Sequence, residues 1–504
     1  MITFIVSSEI CIQQKYSLPQ IILFHVDWND WWKYETLFGV YYFDIDGNSH
    51  KLGGIKIGQL SMQEGQKTPN IPQEFTELPP HFFSLGQDVD YYDNIKNLGD
   101  NIRENIHKSL NDIAFDENIF ESVISEKVTS DSLMRYVSKS SIKGQFRRLS
   151  LGDATLTDYH FEYSPYSGRS GIPPIQLKFN VEPESNPPTN VHVIIGKNGV
   201  GKTHLLHNMA QSLLEERAIR FGKFSSSHGL RASEIFANLV LVSFSAFDSF
   251  ELPSERKNKT LGISYSNIGL RAESTKSERI FTTKSPTKLK NEFARSAYLC
   301  KIGGKMRRLK KALQFLETDT IFREADIKNS LEKNEQKEFE VNAGNIFNEL
   351  SSGHKIVLLT ITRIVETLEE KSLVLIDEPE TYLHPPLLSA FLRALSELLT
   401  TRNAVAIIAT HSPVVLQEVP KSCCWKLRRA GQHFEAERLE IESFGENVGL
   451  LTQEVFGLEV TNSGFHSLLK KSVDSKRSYQ NVLSDFENQL GFEARAIIRG
   501  LLAK

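Results

Sequence analysis

Eight residues constrain this chain more than any others. Gly196-Lys197-Asn198-Gly199-Val200-Gly201-Lys202-Thr203 fits the pattern G-x-x-x-x-G-K-[ST] at every fixed position. The motif follows the apolar run Val191 to Ile195 and precedes an amphipathic stretch from Thr203 to about Arg217, so it reads as strand, glycine-rich turn, helix. The glycines let backbone N–H groups turn inward around phosphate oxygens, and the helix N-terminus beneath adds its partial positive charge. Lys202 can bridge the outer two phosphates of a nucleotide, and the Thr203 hydroxyl can ligate Mg²⁺. Gly196, Asn198, Gly199, Gly201 and His204 complete the expected set of nucleotide contacts.

The rest of the chain must supply a sheet around that turn. Strand-like runs at Leu239 to Phe244, Leu373 to Ile376 and Val405 to Ala409 alternate with helical stretches at Ile356 to Glu369 and Leu387 to Leu399. Such alternation means a mainly parallel sheet covered by helices, an α/β fold. At 504 residues the chain exceeds one hydrophobic core. Residues 1–155 read as an N-terminal accessory α+β unit, with strand-like runs at Gln20 to Val26, Phe38 to Asp44 and Ile55 to Leu60 before a helix-rich stretch. Residues 156–250 hold the first half of the nucleotide-binding core, opening on a hairpin-like pair (Tyr159 to Tyr163, Ile175 to Val181). Residues 251–347 form an inserted, mainly helical, basic lobe, 348–420 the second half of the core, and 421–504 a C-terminal hairpin (Cys424 to Arg428, Phe434 to Leu439) with helices. The turn Asp44-Ile45-Asp46-Gly47-Asn48 lacks the further ligand spacing of a calcium loop and reads as a hairpin turn. Trp28, Trp31 and Trp32 read as packing anchors of the N-terminal unit.

The run Leu373-Val374-Leu375-Ile376-Asp377-Glu378 is a buried strand that ends in two acids. Beside a phosphate loop, the first acid at such a strand end holds Mg²⁺, which assigns Asp377 to the metal along with Thr203. Glu378 is then placed to orient and deprotonate the water that attacks the terminal phosphate.

Further motifs follow in an order that resembles the ABC-ATPase superfamily. Leu350-Ser351-Ser352-Gly353-His354 looks like that family's signature segment, usually Leu-Ser-Gly-Gly followed by Gln or Glu, with Ser352 and His354 as departures. The resemblance implies that Ser351 and Gly353 contact the γ-phosphate of ATP held by a second copy, so that two composite sites form in a homodimer. Pro379-Glu380-Thr381-Tyr382-Leu383-His384-Pro385 is similar to the D-loop text of the soluble SMC/RecF/OLD-like branch. His411 matches the family's switch histidine, a donor whose charge can change near neutrality. Catalysis therefore falls to Glu378, Lys202 and His411, with ATP and Mg²⁺ as ligands. The family's Q-loop glutamine is missing after Leu239 to Phe244, where Ser245 or Asp248 can substitute. Tyr163 and Phe179 are the candidates for stacking on adenine.

Charge is unevenly spread. A formal net charge of −3 conceals residues 251–311, which carry sixteen Lys/Arg against five Asp/Glu. Such a polycation can hold a phosphate backbone, so DNA or RNA contact is expected over 256–311. Cys11, Cys300, Cys423 and Cys424 show no metal-ligand spacing and read as reduced thiols. No run of about 18 uncharged apolar residues occurs, which predicts a cytoplasmic protein without a membrane span. Residues 421–504 hold no Asp-x-Asp pair of the kind the OLD nucleases carry in an attached Toprim domain, so no nuclease activity of its own is expected. The pattern is similar to the ATPase components of anti-phage defence systems, the Septu and retron-associated ATPases, which work with a separate effector such as an HNH nuclease. A RecF/SMC-like DNA repair ATPase and an ATP-stabilised scaffold with little turnover are the competing expectations.

Overall fold

The computed structural model describes residues 2–11, 15, 17–26, 33–62, 66–152, 158–166, 175–183, 185–215, 218–226, 235–244, 255–256, 263–271, 283–302, 305–331, 335–430, 433–457, 464–473 and 478–502. Trp28, Trp31, Trp32, Ser245 and Asp248 lie outside these described residues.

A six-stranded mixed sheet forms the N-terminal unit. Its strands are β1 (Thr3–Ser7), β2 (Gln20–His25), β3 (Leu37–Phe43), β4 (Ser49–Gln59), β5 (Glu74–Phe75) and β6 (Phe82–Gly86), in the order β5-β1-β2-β3-β4-β6. One face packs under helices that include Val89–Lys96 and Asp100–Ser109, closing a core of Phe4, Leu23, Val40, Ile55, Phe83, Tyr91 and Ile106. The Asp44 turn joins β3 to β4 as a hairpin, its carboxylate accepting from the backbone N–H groups of Asp46 and Asn48.

Strands β7 (Tyr159–Ser164), β8 (Leu177–Val181) and β10 (Lys223–Ser226) make a small antiparallel sheet in the order β10-β7-β8. The larger sheet runs β12-β11-β13-β14-β9-β15-β16, from β9 (Val191–Gly196), β11 (Asn238–Ser243), β12 (Ser264–Gly269), β13 (Leu373–Asp377), β14 (Val405–Thr410), β15 (Cys424–Ala430) and β16 (His433–Glu437). Every neighbouring pair is parallel except β15 with β16. Strands buried on both faces explain the near-continuous apolar runs. On one face Val193, Val242, Ile376 and Ile408 meet the helices Ser352–Thr367 and Pro385–Thr401. On the other, Ile194, Leu241, Leu375 and Ile407 meet the helix Lys202–Leu214 and the small antiparallel sheet.

Strand β12 corrects one expectation. The segment after Phe250 does not enter directly into helices, because Ser264–Gly269 pairs parallel with β11 and extends the sheet. Its text, Ser-Tyr-Ser-Asn-Ile-Gly, is too polar to announce a strand, and the neighbour supplies the ladder. Helices Pro286–Ile302, Met306–Leu316 and Gln336–Glu349 follow and pack onto Ser352–Thr367 and Pro385–Thr401. The helix Ser352–Thr367 is buried along nearly its whole length, as its apolar text Ile-Val-Leu-Leu demands.

All four cysteines are free thiols. Burial pushes Cys300 and Cys424 up to about 12 and Cys423 to about 11, which makes these three unreactive. Among the described residues no helix is long and apolar enough to cross a membrane.

Candidate active site at the phosphate loop

The sheet order brings the sequence motifs together. Strand β14 lies between β9, which leads into the phosphate loop, and β13, which ends in the paired acids. All three strands point the same way, so Gly196, Asp377 and Thr410 finish on one edge of the sheet. Open parallel sheets bind ligands at that carboxyl edge.

The loop has the backbone of an anion cradle. Gly199 and Gly201 adopt φ of +77° and +104°, a region that glycine enters without steric cost, and a Cβ at either would meet nothing within 4 Å. Their backbone therefore faces open space. Gly196 instead needs closeness, since a Cβ there would sit 2.8 Å from the Leu427 carbonyl oxygen of β15. Lys202 opens the helix Lys202–Leu214 and folds back over the loop, its Nζ donating to the carbonyls of Gly196 (3.0 Å) and Lys197 (3.2 Å). Asn198 and His204 are exposed at the mouth and Thr203 is half-buried in the first helical turn.

Two acids with different surroundings face this lysine. Asp377 is buried at the end of β13, in register with Ser243 of β11 and Ala409 of β14. Glu378 turns out of the strand with φ of +45° and ψ of +60°, a left-handed conformation that costs a non-glycine residue about 1 kcal/mol. That turn aims its carboxylate at Lys202 and His411. Its Oε1 is 3.8 Å from Lys202 Nζ and 3.4 Å from His411 Nδ1. Burial lowers the Lys202 pKa from its ordinary value, although Glu378, Asp377 and Glu380 pull the other way.

Glu380 was missed by sequence reasoning. Its buried carboxylate accepts from the Thr410 hydroxyl (2.5 Å) and the His411 backbone N–H (2.9 Å), and the same oxygen lies 3.2 Å from His411 Nδ1. It therefore fixes the turn that carries His411. The available signal was a second acid two positions after Glu378 in a tight Pro-containing turn.

The remaining candidates divide. Ser351 begins the helix Ser352–Thr367, and its hydroxyl bonds His354, not the phosphate loop. Gly353 fits closely against the D-loop, because a Cβ there would come within 2.6 Å of the Tyr382 carbonyl oxygen. Tyr163 and Phe179 are not adenine platforms. Both are fully buried between the small sheet and the helix Lys202–Leu214, Phe179 stacked on Phe161 at 5.0 Å and the Tyr163 hydroxyl bonded to the Phe221 carbonyl. Alternating aromatics in a hairpin read the same whether they face solvent or a second layer, which is why the sequence misled.

The C-terminal end of the basic segment is committed to ion pairs. Lys305 and Arg308 pair with Asp88 at 2.9 and 3.2 Å, Arg308 also with Asp90, Arg307 with Asp93 and Lys311 with Glu397. The acidic N-terminal unit thus pairs with Lys305, Arg307 and Arg308 of the segment that sequence alone offered to nucleic acid.

The residues fit a nucleoside triphosphate and its cation. The loop supplies inward N–H groups and one buried lysine, and Thr203 and Asp377 would hold Mg²⁺ through oxygen ligands. The cation would neutralise charge developing on the β- and γ-phosphates.

Residues 239–417 match the family described as "AAA domain, putative AbiEii toxin, Type IV TA system", a stretch that contains the acids, the signature turn and His411. Solved structures with some likeness include the ADP conformation of an ATP-binding cassette of an ABC transporter (14% identity, 61% of this chain, 100% of that one, TM-score 0.31). Another is cbiO1 from Clostridium perfringens, part of an ABC transporter complex (16% identity, 52% of this chain, 82% of that one, TM-score 0.28). Scores this low add nothing to the fold already described. Protein ea59 of Escherichia phage lambda is 41% identical over 497 residues, spanning 94% of this chain and 93% of that protein. With identity at that level sustained along almost its entire length, the chain belongs to the family of phage lambda protein ea59.

Proposed function

We propose that the chain binds ATP with Mg²⁺ and hydrolyses it at sites completed across a homodimer, and that nucleotide state controls a separate effector in a phage-related process. The observation that carries the catalytic part is the convergence of Lys202 Nζ and His411 Nδ1 on one oxygen of Glu378. A carboxylate between a lysine and an imidazole at the rim of a phosphate cradle is placed to accept the proton of an attacking water. Lys202 stabilises charge on the terminal phosphate, and His411 reports its presence.

The dimeric part rests on Ser351, which stands at a helix N-terminus with no bond to its own phosphate loop. Such a terminus suits an anion brought by another subunit. The phage-related part rests on kinship with a phage lambda protein; an anti-phage defence role with an HNH-type effector is the finer form of that reading.

Steady-state ATPase assays on Glu378→Gln test the chemistry. Turnover should fall by about 100-fold or more while ATP binding persists. Equal rates in the two proteins would remove Glu378 from the mechanism.

A further inference from the structure

Beside the signature turn, three polar side chains from three segments meet. Asp319 caps the helix Thr320–Glu324, His354 lies in the first turn of Ser352–Thr367, and His384 caps Pro385–Thr401. His354 is buried, with Nε2 3.0 Å from Asp319 Oδ1 and Nδ1 2.6 Å from the Ser351 hydroxyl oxygen. His384 Nε2 stands 3.7 Å from Asp319 Oδ2.

One ligand atom from each residue falls within 4.8 Å of the others, a spacing a divalent cation could bridge. The hydrogen bonds decide against that. His384 Nδ1 accepts the Leu387 backbone N–H at 3.3 Å, so in the neutral ring the proton sits on Nε2, and a protonated nitrogen cannot ligate a metal. The trio is a proton-bearing chain.

We infer that Asp319 and His354 are positioning residues that set the direction in which the Ser351 hydroxyl donates. The inference rests on the reading above that Ser351 completes the partner subunit's nucleotide site.

Asp319 as a carboxylate can only accept, which places a proton on His354 Nε2. Burial alone would raise its pKa. Hydrogen bonds from His354 and from the N–H groups of Ile321 and Phe322 more than offset this and hold it below the usual range, so it stays ionised near neutrality. In a neutral imidazole Nδ1 is then a lone pair, and the Ser351 O–H must point at it. What Ser351 turns outward in that state is oxygen lone pairs, which repel a γ-phosphate. When His354 takes a second proton from solvent, Nδ1–H donates to Ser351 instead. The hydroxyl proton is released toward the phosphate, and an imidazolium stands one side chain away from it. One proton enters per completed site, and none is transferred to the nucleotide. Among the described residues the titratable groups facing His354 are Asp319 and His384, whose ring centroid is 6.4 Å from that of His354; the Phe322 ring covers a further side at 5.1 Å.

Sedimentation of the Glu378→Gln protein with Mg-ATP, from about pH 6 to about pH 8.5, tests this. The dimer should weaken about 10-fold or more as pH rises through that window. Ionisation of the nucleotide is common to every variant and cancels on comparison. Adding His354→Gln should preserve the dimer and flatten the profile, because an amide does not titrate. Adding Asp319→Asn should weaken the dimer at the acid end of the profile, since the charge that favours the imidazolium is gone. His384→Asn retains the helix cap and should leave the profile in place. A His354→Gln profile superimposed on its parent would overturn the inference, as would stoichiometric zinc that Asp319→Asn releases. No ATP-dependent dimer at any pH would instead sink the composite-site reading, and this inference with it.

Discussion

At the scale of single residues, the site is organised by carboxylates with different partners. Asp377 ends a buried strand, Glu378 leaves it through a left-handed turn toward Lys202 and His411, and Glu380 ties down the turn that carries His411. Glu380→Ala should slow ATP hydrolysis by about 10- to 100-fold while changing ATP affinity by less than about 3-fold, because it frees the histidine without touching the cradle. Parallel turnover and equilibrium-binding measurements separate the two effects. The phosphate loop and the pair Asp377-Glu378 were legible in the sequence because their chemistry needs fixed residue types at fixed spacing. Glu380 was not, since its partners Thr410 and His411 lie thirty and thirty-one positions away and meet it only through the sheet. His354 and Asp319 were hidden for the same reason, being thirty-five positions apart.

At the scale of elements, the signature helix and the D-loop form one packed unit. The Gly353 position touches the Tyr382 carbonyl, so the start of Ser352–Thr367 and the turn after Glu378 cannot move independently. Gly353→Ala forces a methyl against backbone and should destabilise the fold by about 1–3 kcal/mol, read from denaturant unfolding, while also lowering turnover. Strand and helix alternation in the core was readable because β9, β13 and β14 are apolar on both faces. Strand β12 escaped because an edge strand can be polar, and its pairing with β11 depends on a neighbour rather than on its own text. The fate of the basic helix Met306–Leu316 was likewise outside local pattern. Its cations are matched by Asp88, Asp90 and Asp93, more than two hundred positions earlier.

At the scale of the whole molecule, that match is a buried ionic junction. Asp88 and Asp90 hold Arg308 from the helical lobe and Arg402 from the end of Pro385–Thr401, and Lys305 joins Asp88. Removing one member leaves an uncompensated buried charge, so Asp90→Ala should cost about 3–5 kcal/mol of unfolding free energy. Burial raises the Asp88 pKa, but Lys305, Arg308 and Arg402 more than reverse that and hold its carboxyl well below the ordinary 3.8. A depressed carboxylate contributes stability above its unfolded value, and that contribution disappears as pH falls through the folded one. Denaturant titrations below pH 3.8 should therefore show a steeper acid loss in the parent than in Asp88→Asn. Similar slopes would mean that the junction does not report on Asp88 ionisation.

The same N-terminal unit touches the tail of the signature helix as well. Arg148 pairs with Glu370 at 2.5 Å and the Ser141 hydroxyl bonds Glu369 at 3.4 Å, just past the end of Ser352–Thr367. Two rods thus run through the molecule, capped at their heads by Ser351 on one and His384 on the other, and each held at its foot by the N-terminal unit. Both feet therefore rest on one unit, so loss of its ionic contacts unseats the two helices together.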